Sequence, residues 1–230
     1  MTIIGVDLGR VFDAAAIVVI EDKLIEVPVT AQPRTRRITP LDIPTLLTRV
    51  YGVIEVGRMV RVSYTEVARR LYVLAEHPRI SRPYALVIDA TGVGIAICDM
   101  LRDPPYNLSP IGVTSTPGRS VTESTWGYNV PKQDLMDNLE ILLERERLTW
   151  SGRMEDVVAY REQMENMRRG VKNKRETFGA EDDRIHDDYP SATAVALWYA
   201  EKILPPYIDL PNLAGARKQY NPATHGLTGR

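Results

Sequence analysis

Carboxylates occur in this chain where their neighbours argue against them. Ile3-Ile4-Gly5-Val6-Asp7-Leu8-Gly9 is an apolar run with one acid set into it. Asp is depleted in strands, and a buried charge is costly unless a counter-charge or a metal matches it. The pattern recurs at Ala85-Leu86-Val87-Ile88-Asp89, followed by Ala90-Thr91-Gly92-Val93-Gly94. A third acidic group, His186-Asp187-Asp188, opens an apolar run near the end of the chain. Taken singly, each acid also reads as a turn or helix-cap residue. Taken together, they read as a cluster that the fold assembles. Several negative charges cannot share a site without cations. Oxygen-only donors suit hard divalent ions, Mg²⁺ or Mn²⁺. Two such ions about 4 Å apart clamp the attacking and leaving oxygens of an in-line phosphoryl displacement. His186 reads as a general acid or base, as a group that orients a neighbouring carboxylate, or as an inert surface histidine.

The elements needed to position these acids are legible from periodicity. Residues 2–9, Ala14 to Glu21 and Lys23 to Gln32 read as three strands, the first two joined by a short hairpin through Gly9-Arg10-Val11-Phe12-Asp13. Pro28 marks an edge or a bulge. Arg34 to Pro44 is basic and Pro-containing, a loop, and Leu46 to Val62 is rich in β-branched residues, a strand. Ser63 or Thr65 caps a helix that runs to about Glu76. Ala85 to Asp89 is a buried-type strand. Ile95 to Leu101 is a helix stopped by Asp103-Pro104-Pro105, and Ile111 to Ser115 is a strand. After a Gly/Ser/Thr-rich excursion from Pro117 to Trp126, Leu135, Met136, Leu139, Leu142 and Leu143 mark one helix face. Met154 to Met167 reads as a further helix, Arg168 to Ala180 as a short strand pair, and Asp188 to Ile203, apolar almost all round, as a buried helix. The order predicts an α/β fold: a central mixed sheet, an antiparallel meander continuing into parallel strands, flanked by helices.

Bulk composition is permissive. The 230 residues fit one large domain or two small ones, and 44% hydrophobic content supports a sizeable core. A net charge of -1 gives no global signal for nucleic acid, so any contact with it falls to local patches. Cys98 is the only cysteine, which excludes an intrachain disulfide and a thiolate metal cluster, and it reads as a small buried hydrophobe. No apolar run approaches the ~18 residues needed to span a bilayer, and no secretory signal is expected. The chain enters a strand pattern at residue 2, as a stand-alone protein or a domain cut at its boundary would. Residues 206–230 read as a flexible tail, leaving 1–205 as the folded unit.

Four stretches occur in one order: Gly5-Val6-Asp7-Leu8-Gly9, Ile88-Asp89-Ala90-Thr91-Gly92-Val93-Gly94, Val130-Pro131-Lys132 and His186-Asp187-Asp188-Tyr189-Pro190-Ser191-Ala192. In these the chain resembles the nuclease domain of the tailed-bacteriophage terminase large subunit, over about residues 2–203. The resemblance implies a ribonuclease-H-like fold related to Holliday-junction resolvases. It implies a metal-dependent endonuclease that cuts double-stranded DNA during viral genome packaging. It implies Asp7 and Asp89 as metal ligands, with Asp187 or Asp188 completing the site. Many relatives carry another acid where this chain has Ser191, and Asp13, six residues after Asp7, could serve instead. The resemblance also implies an ATPase motor domain, a portal protein and a small terminase subunit as partners, in the host cytoplasm. No G-x-x-x-x-G-K-[ST] phosphate loop is present, so this chain alone is not expected to move DNA.

DNA contacts are expected from Arg168-Arg169-Gly170-Val171-Lys172-Asn173-Lys174-Arg175, with five basic residues and no acid. Lys132, next to a helix N-terminus, and Arg119, in the excursion, are further candidates. Unrestrained cutting would damage a host, so weak or regulated activity is expected, and low metal affinity is one way to it. Three other readings stay open: a resolvase acting on branched DNA, an actin-like ATPase, which would need two such domains, and a module that binds DNA or a partner without cutting.

Overall fold

The computed structural model describes residues 1–9, 15–28, 45–172, 175–180 and 187–204; for residues 28, 45, 46, 168–172 and 175–180 it describes the backbone alone. Asp13, Lys174, His186, the loop expected at 34–44 and the tail at 206–230 lie outside the described residues. In chain order the elements are β1 (Thr2–Leu8), β2 (Ala15–Pro28), β3 (Thr45–Met59), α1 (Tyr64–Ala75), β4 (Tyr84–Asp89), α2 (Gly94–Arg102), β5 (Ile111–Thr116), β6 (Thr122–Ser124), β7 (Gly127–Pro131), α3 (Lys132–Glu144), β8 (Leu148–Trp150), α4 (Val157–Asn166), β9 (Met167–Lys172), β10 (Arg175–Ala180) and α5 (Asp188–Lys202).

Eight strands form one sheet in the order β6-β7-β5-β4-β1-β2-β3-β8. β1, β2 and β3 are the expected antiparallel meander. β1, β4, β5 and β7 run parallel, as expected of strands joined by crossover helices. β9 and β10 pair separately as an antiparallel hairpin, which agrees with the short strand pair read there.

Strand alternation sorts the core into two layers. Ile3 of β1, Ala16, Val18 and Ile20 of β2 and Ala85 and Val87 of β4 face α3, α4 and α5. Ile4, Val6, Leu86 and Ile88 face α1 and α2 on the other side. Cys98 is buried in that second layer, as its composition-level reading has it, and burial pushes its thiol up to about 11. The Ser63 hydroxyl accepts the Glu66 backbone N–H at 3.2 Å and caps α1, which decides between the two candidate caps.

Two local expectations give way to tertiary structure. The strands expected over Ala14 to Glu21 and Lys23 to Gln32 are not separate: β2 runs unbroken from Ala15 to Pro28. Asp22 stays in the strand because the Met1 ammonium meets its carboxylate at 2.7 Å and Arg49 on the neighbouring β3 approaches it at 3.5 Å. Beyond Asp22, β2 pairs only with β3 among the described residues, so Pro28 does fall on an edge there. The Pro117 to Trp126 excursion is also more regular than expected. It contains β6, which pairs with β7, and β7 holds Gly, Asn and Pro and has no strand pattern of its own. Pairing with β5 supplies what its sequence lacks. Among the described residues, no helix is long and apolar enough to cross a membrane.

α5 is the central helix of its layer and lies over β1 at close range. A β-carbon at Gly5 would sit 2.2 Å from the Ala192 carbonyl oxygen and 2.8 Å from the Ala196 β-carbon. Only glycine lets the helix approach this near. At the far end, Arg147 makes a two-pronged pair with the Glu201 carboxylate at 2.7 and 3.0 Å, and Arg49 donates to the Ala200 carbonyl at 2.8 Å. Burial favours a neutral Glu201, but the hydrogen bonds from Arg147 and Tyr51 outweigh it and hold the carboxyl below its usual range.

Replacing Gly5 with alanine forces α5 away from the sheet. Overpacking of this kind costs about 3 kcal/mol, at the upper end of its usual range. Urea denaturation is expected to show that loss, and unchanged stability in Gly5→Ala would contradict the close-packed crossing.

Candidate active site

Asp7 and Gly5 are two residues apart on β1, so they share a face, the one that α5 covers. The parallel β1–β4 ladder is paired through Val6 and Ile88. Asp7 and Asp89 each lie one residue further along, at the carboxyl ends of adjacent parallel strands. Across the rest of the sheet, Asp7 pairs with Ala16, and Ala16 with Arg58. The row Asp89, Asp7, Ala16, Arg58 thus crosses β4, β1, β2 and β3. Ala16 is fully buried and too small to separate its neighbours.

α5 brings the remaining acids. Asp187 is its N-cap residue, whose carbonyl accepts the Ser191 N–H at 3.0 Å, and Asp188 is its first residue, only 8% exposed. The α5 N-terminus is held by the Gln163 amide oxygen, which accepts the Tyr189 N–H at 2.9 Å. Arg58 donates to the Asp188 carboxylate at 2.8 Å across the sheet face.

The electrostatics of Asp7 register this convergence. Burial, then the charges of Asp89, Asp188 and Asp187 in that order, push its carboxyl well above the usual range, opposed by the Leu8 backbone N–H. Asp89 is also raised by burial, opposed by hydrogen bonding from the Thr91 side chain, then by the Thr91 N–H, accepted at 2.8 Å, and by the positive charge of Lys132. The Thr91 hydroxyl in turn accepts the Ser115 N–H at 3.0 Å, which ties the turn after β4 to β5. Gly94 packs directly on the Asp89 carbonyl, where a β-carbon would lie 1.9 Å from the oxygen. The four acids singled out in the sequence therefore gather at one end of the sheet.

Their donor chemistry fits hard divalent cations, since every available atom is a carboxylate oxygen. Among the described residues, no three His, Cys, Asp or Glu side chains converge tightly enough to cage an ion as they stand. Asp188 is held toward Arg58, and Asp89 is engaged by the Thr91 amide.

Arg58 is the site residue that sequence reasoning missed. Its signal was the one that exposed Asp7: a charge inside a β-branched, apolar strand. What it faces depends on register, which periodicity does not supply. Lys132 begins α3, is exposed, and lies near enough to Asp89 to influence it. Arg119 is exposed between β5 and β6. Arg168, Arg169 and Lys172 fall on β9 and Arg175 opens β10, a hairpin beside α3 and α4. Ser191, in the first turn of α5, brings no carboxylate.

The fold is the ribonuclease-H-like one of phage terminase nucleases. The chain is similar to the large terminase nuclease from thermophilic phage G20c with bound magnesium, at 20% identity and a TM-score of 0.53, over 86% of this chain and 80% of that one. A second structure of that nuclease matches at 20% identity and a TM-score of 0.52, over 87% and 82%. The large terminase nuclease domain of Thermus phage P74-26 matches at 18% identity and a TM-score of 0.51, over 87% and 79%. No protein-family model matches the chain, and no curated protein matches it in sequence.

The raised carboxyl of Asp7 has a consequence for stability. Its folded form binds a proton more readily than its unfolded form, whose value is near 3.8. Its contribution to stability is therefore complete below that value and is lost as pH rises through the folded value. In EDTA, Asp7→Asn is expected to melt at a higher temperature than the parent at pH 7.5, with the difference shrinking as pH falls toward 4. A destabilised Asp7→Asn protein at pH 7.5 would contradict the repulsive environment.

Proposed function

We propose that residues 1–205 form a metal-dependent endonuclease domain that cuts double-stranded DNA during viral genome packaging. The observation that carries this reading is the gathering of Asp7, Asp89, Asp187 and Asp188 at one end of a ribonuclease-H-like sheet. It is supported by the likeness to terminase nucleases, one of them with magnesium bound.

In this reading Asp7, Asp89 and one of Asp187 and Asp188 hold Mg²⁺ or Mn²⁺, and two ions suit the number of carboxylates. When bound, such ions promote deprotonation of an attacking water and stabilise charge on the departing 3′ oxygen. The chain's own residues set the conditions. Asp7 is buried among acids and ionises only at a cost, so the cluster favours positive charge. Asp89 is oriented by Thr91, whose backbone N–H it accepts at 2.8 Å. Lys132 and the backbone amides that begin α3 suit a phosphate oxygen beside Asp89. Arg119, the hairpin strands carrying Arg168, Arg169, Lys172 and Arg175, and Lys174 of the same basic run would neutralise flanking phosphates and so fix register without reading bases. His186 precedes the cluster in the chain and would take or give a proton there. Asp13 would supply the fourth carboxylate that Ser191 does not. In the cell, the domain would act in the host cytoplasm beside an ATPase motor, a portal protein and a small terminase subunit.

Supercoiled plasmid incubated with Mn²⁺ or Mg²⁺ is expected to be nicked and linearised, and EDTA to abolish cutting. Asp7→Ala and Asp89→Ala should each lower the rate by about 100-fold or more, equivalent to roughly 3 kcal/mol of lost stabilisation. Undiminished cutting in both variants, or in EDTA, would overturn the proposal. Preferential cutting of four-way junctions would move it to a resolvase.

A further inference from the structure

Arg58 has no part in the mechanism above, yet it pairs directly with one carboxylate of the acidic cluster. Its guanidinium lies 2.8 Å from Asp188. It reaches that carboxylate over Ala16, whose small side chain leaves the row open between β1 and β3.

Two features separate this pair from a structural clamp such as Arg147 with Glu201. The Arg147 guanidinium meets both Glu201 oxygens, at 2.7 and 3.0 Å, and its remaining N–H donates to the Arg49 carbonyl at 2.7 Å. The Arg58 Nε, in contrast, is buried with no hydrogen-bond acceptor among the described residues. A buried donor without a partner is costly, so among the described residues it is the Asp188 carboxylate that holds Arg58 in this placement. The Arg58 side chain is also 25% exposed, so it has a way out toward solvent. Guanidinium stays charged at any accessible pH, so titration of Arg58 does not release Asp188, whereas a cation that binds the carboxylate does.

We propose that Arg58 is an internal stand-in for a metal ion: it holds Asp188 in the metal-free protein and yields that carboxylate when a divalent cation enters. The inference rests on the metal-binding reading of the cluster and adds a control to it. Arg58 is a positioning residue that competes with the ion, and it lowers the affinity of the site for metal. Without Arg58, Asp188 would still face the α5 N-terminus, whose dipole is a weaker and fixed source of positive charge.

The test is calorimetric titration of MnCl₂, without DNA, into the full chain and into Arg58→Gln, Arg58→Lys and Asp7→Asn. Arg58→Gln is expected to bind Mn²⁺ about tenfold more tightly than the parent, the scale of a partly exposed ion pair. Arg58→Lys should fall between them, because lysine lacks the planar fork and holds a carboxylate less firmly. Mn²⁺ should also raise the melting temperature of Arg58→Gln more than that of the parent. Binding by Arg58→Gln but not by the parent would support the proposal in its strongest form. Equal or weaker binding by Arg58→Gln would overturn it and make Arg58 an orienting group for Asp188. If Arg58→Gln does not fold, as melting in EDTA would reveal, Arg58→Lys decides: binding no tighter than the parent overturns the proposal. Asp7→Asn separates the two readings. If it binds Mn²⁺ as well as the parent, the ion is not at this cluster and the metal site itself is refuted. Absence of binding in the parent and Arg58→Gln overturns both readings.

Discussion

The approach of α5 to β1 at Gly5 is the constraint on which the site depends. Helix and strand meet with no side chain between them, and a single added carbon would collide with the Ala192 carbonyl. That contact sets how deep the helix sits and how close Asp188 comes to Asp7 two residues further along β1. The helix is held at both ends as well. Gln163 and Arg58 secure its N-terminus, and Arg147 and Arg49 its C-terminus. A helix seated this way carries a carboxylate to a defined place, which a loop could not do as accurately.

The mixed sheet supplies the other half of the arrangement. β1 has a parallel neighbour on one side and an antiparallel one on the other. The parallel neighbour puts two strand ends side by side, and with them Asp7 and Asp89. The antiparallel neighbour brings β3 back so that Arg58 falls in the same row. Four acids and one arginine from distant parts of the chain thereby share one face.

Such a cluster works against folding. Burial and three neighbouring carboxylates oppose ionisation of Asp7, and the compensations are local: the Leu8 amide for Asp7, the Thr91 amide for Asp89, Lys132 nearby and Arg58 for Asp188. Sites shaped for function commonly give up stability in this way. Here the layers into which α5 buries its own Tyr189, Leu197 and Trp198 are large enough to bear the cost.

Much of this was legible in the amino-acid sequence, for identifiable reasons. Asp7 and Asp89 stand out because charge is rare in apolar strands, and α5 because its apolar residues leave no polar face. The meander, the crossover helices and the Ser63 region followed from periodicity and capping. Local pattern failed where tertiary contacts outweigh it. Asp22 stays in β2 because the Met1 ammonium and Arg49 approach it, and β7 is a strand because β5 pairs with it. Sequence by itself determined which acids would need a partner, since that follows from residue type and immediate neighbours. Only the tertiary structure decided what those partners are. Which side chains share a row depends on strand register, and which acid Arg58 reaches depends on how closely α5 packs against Gly5.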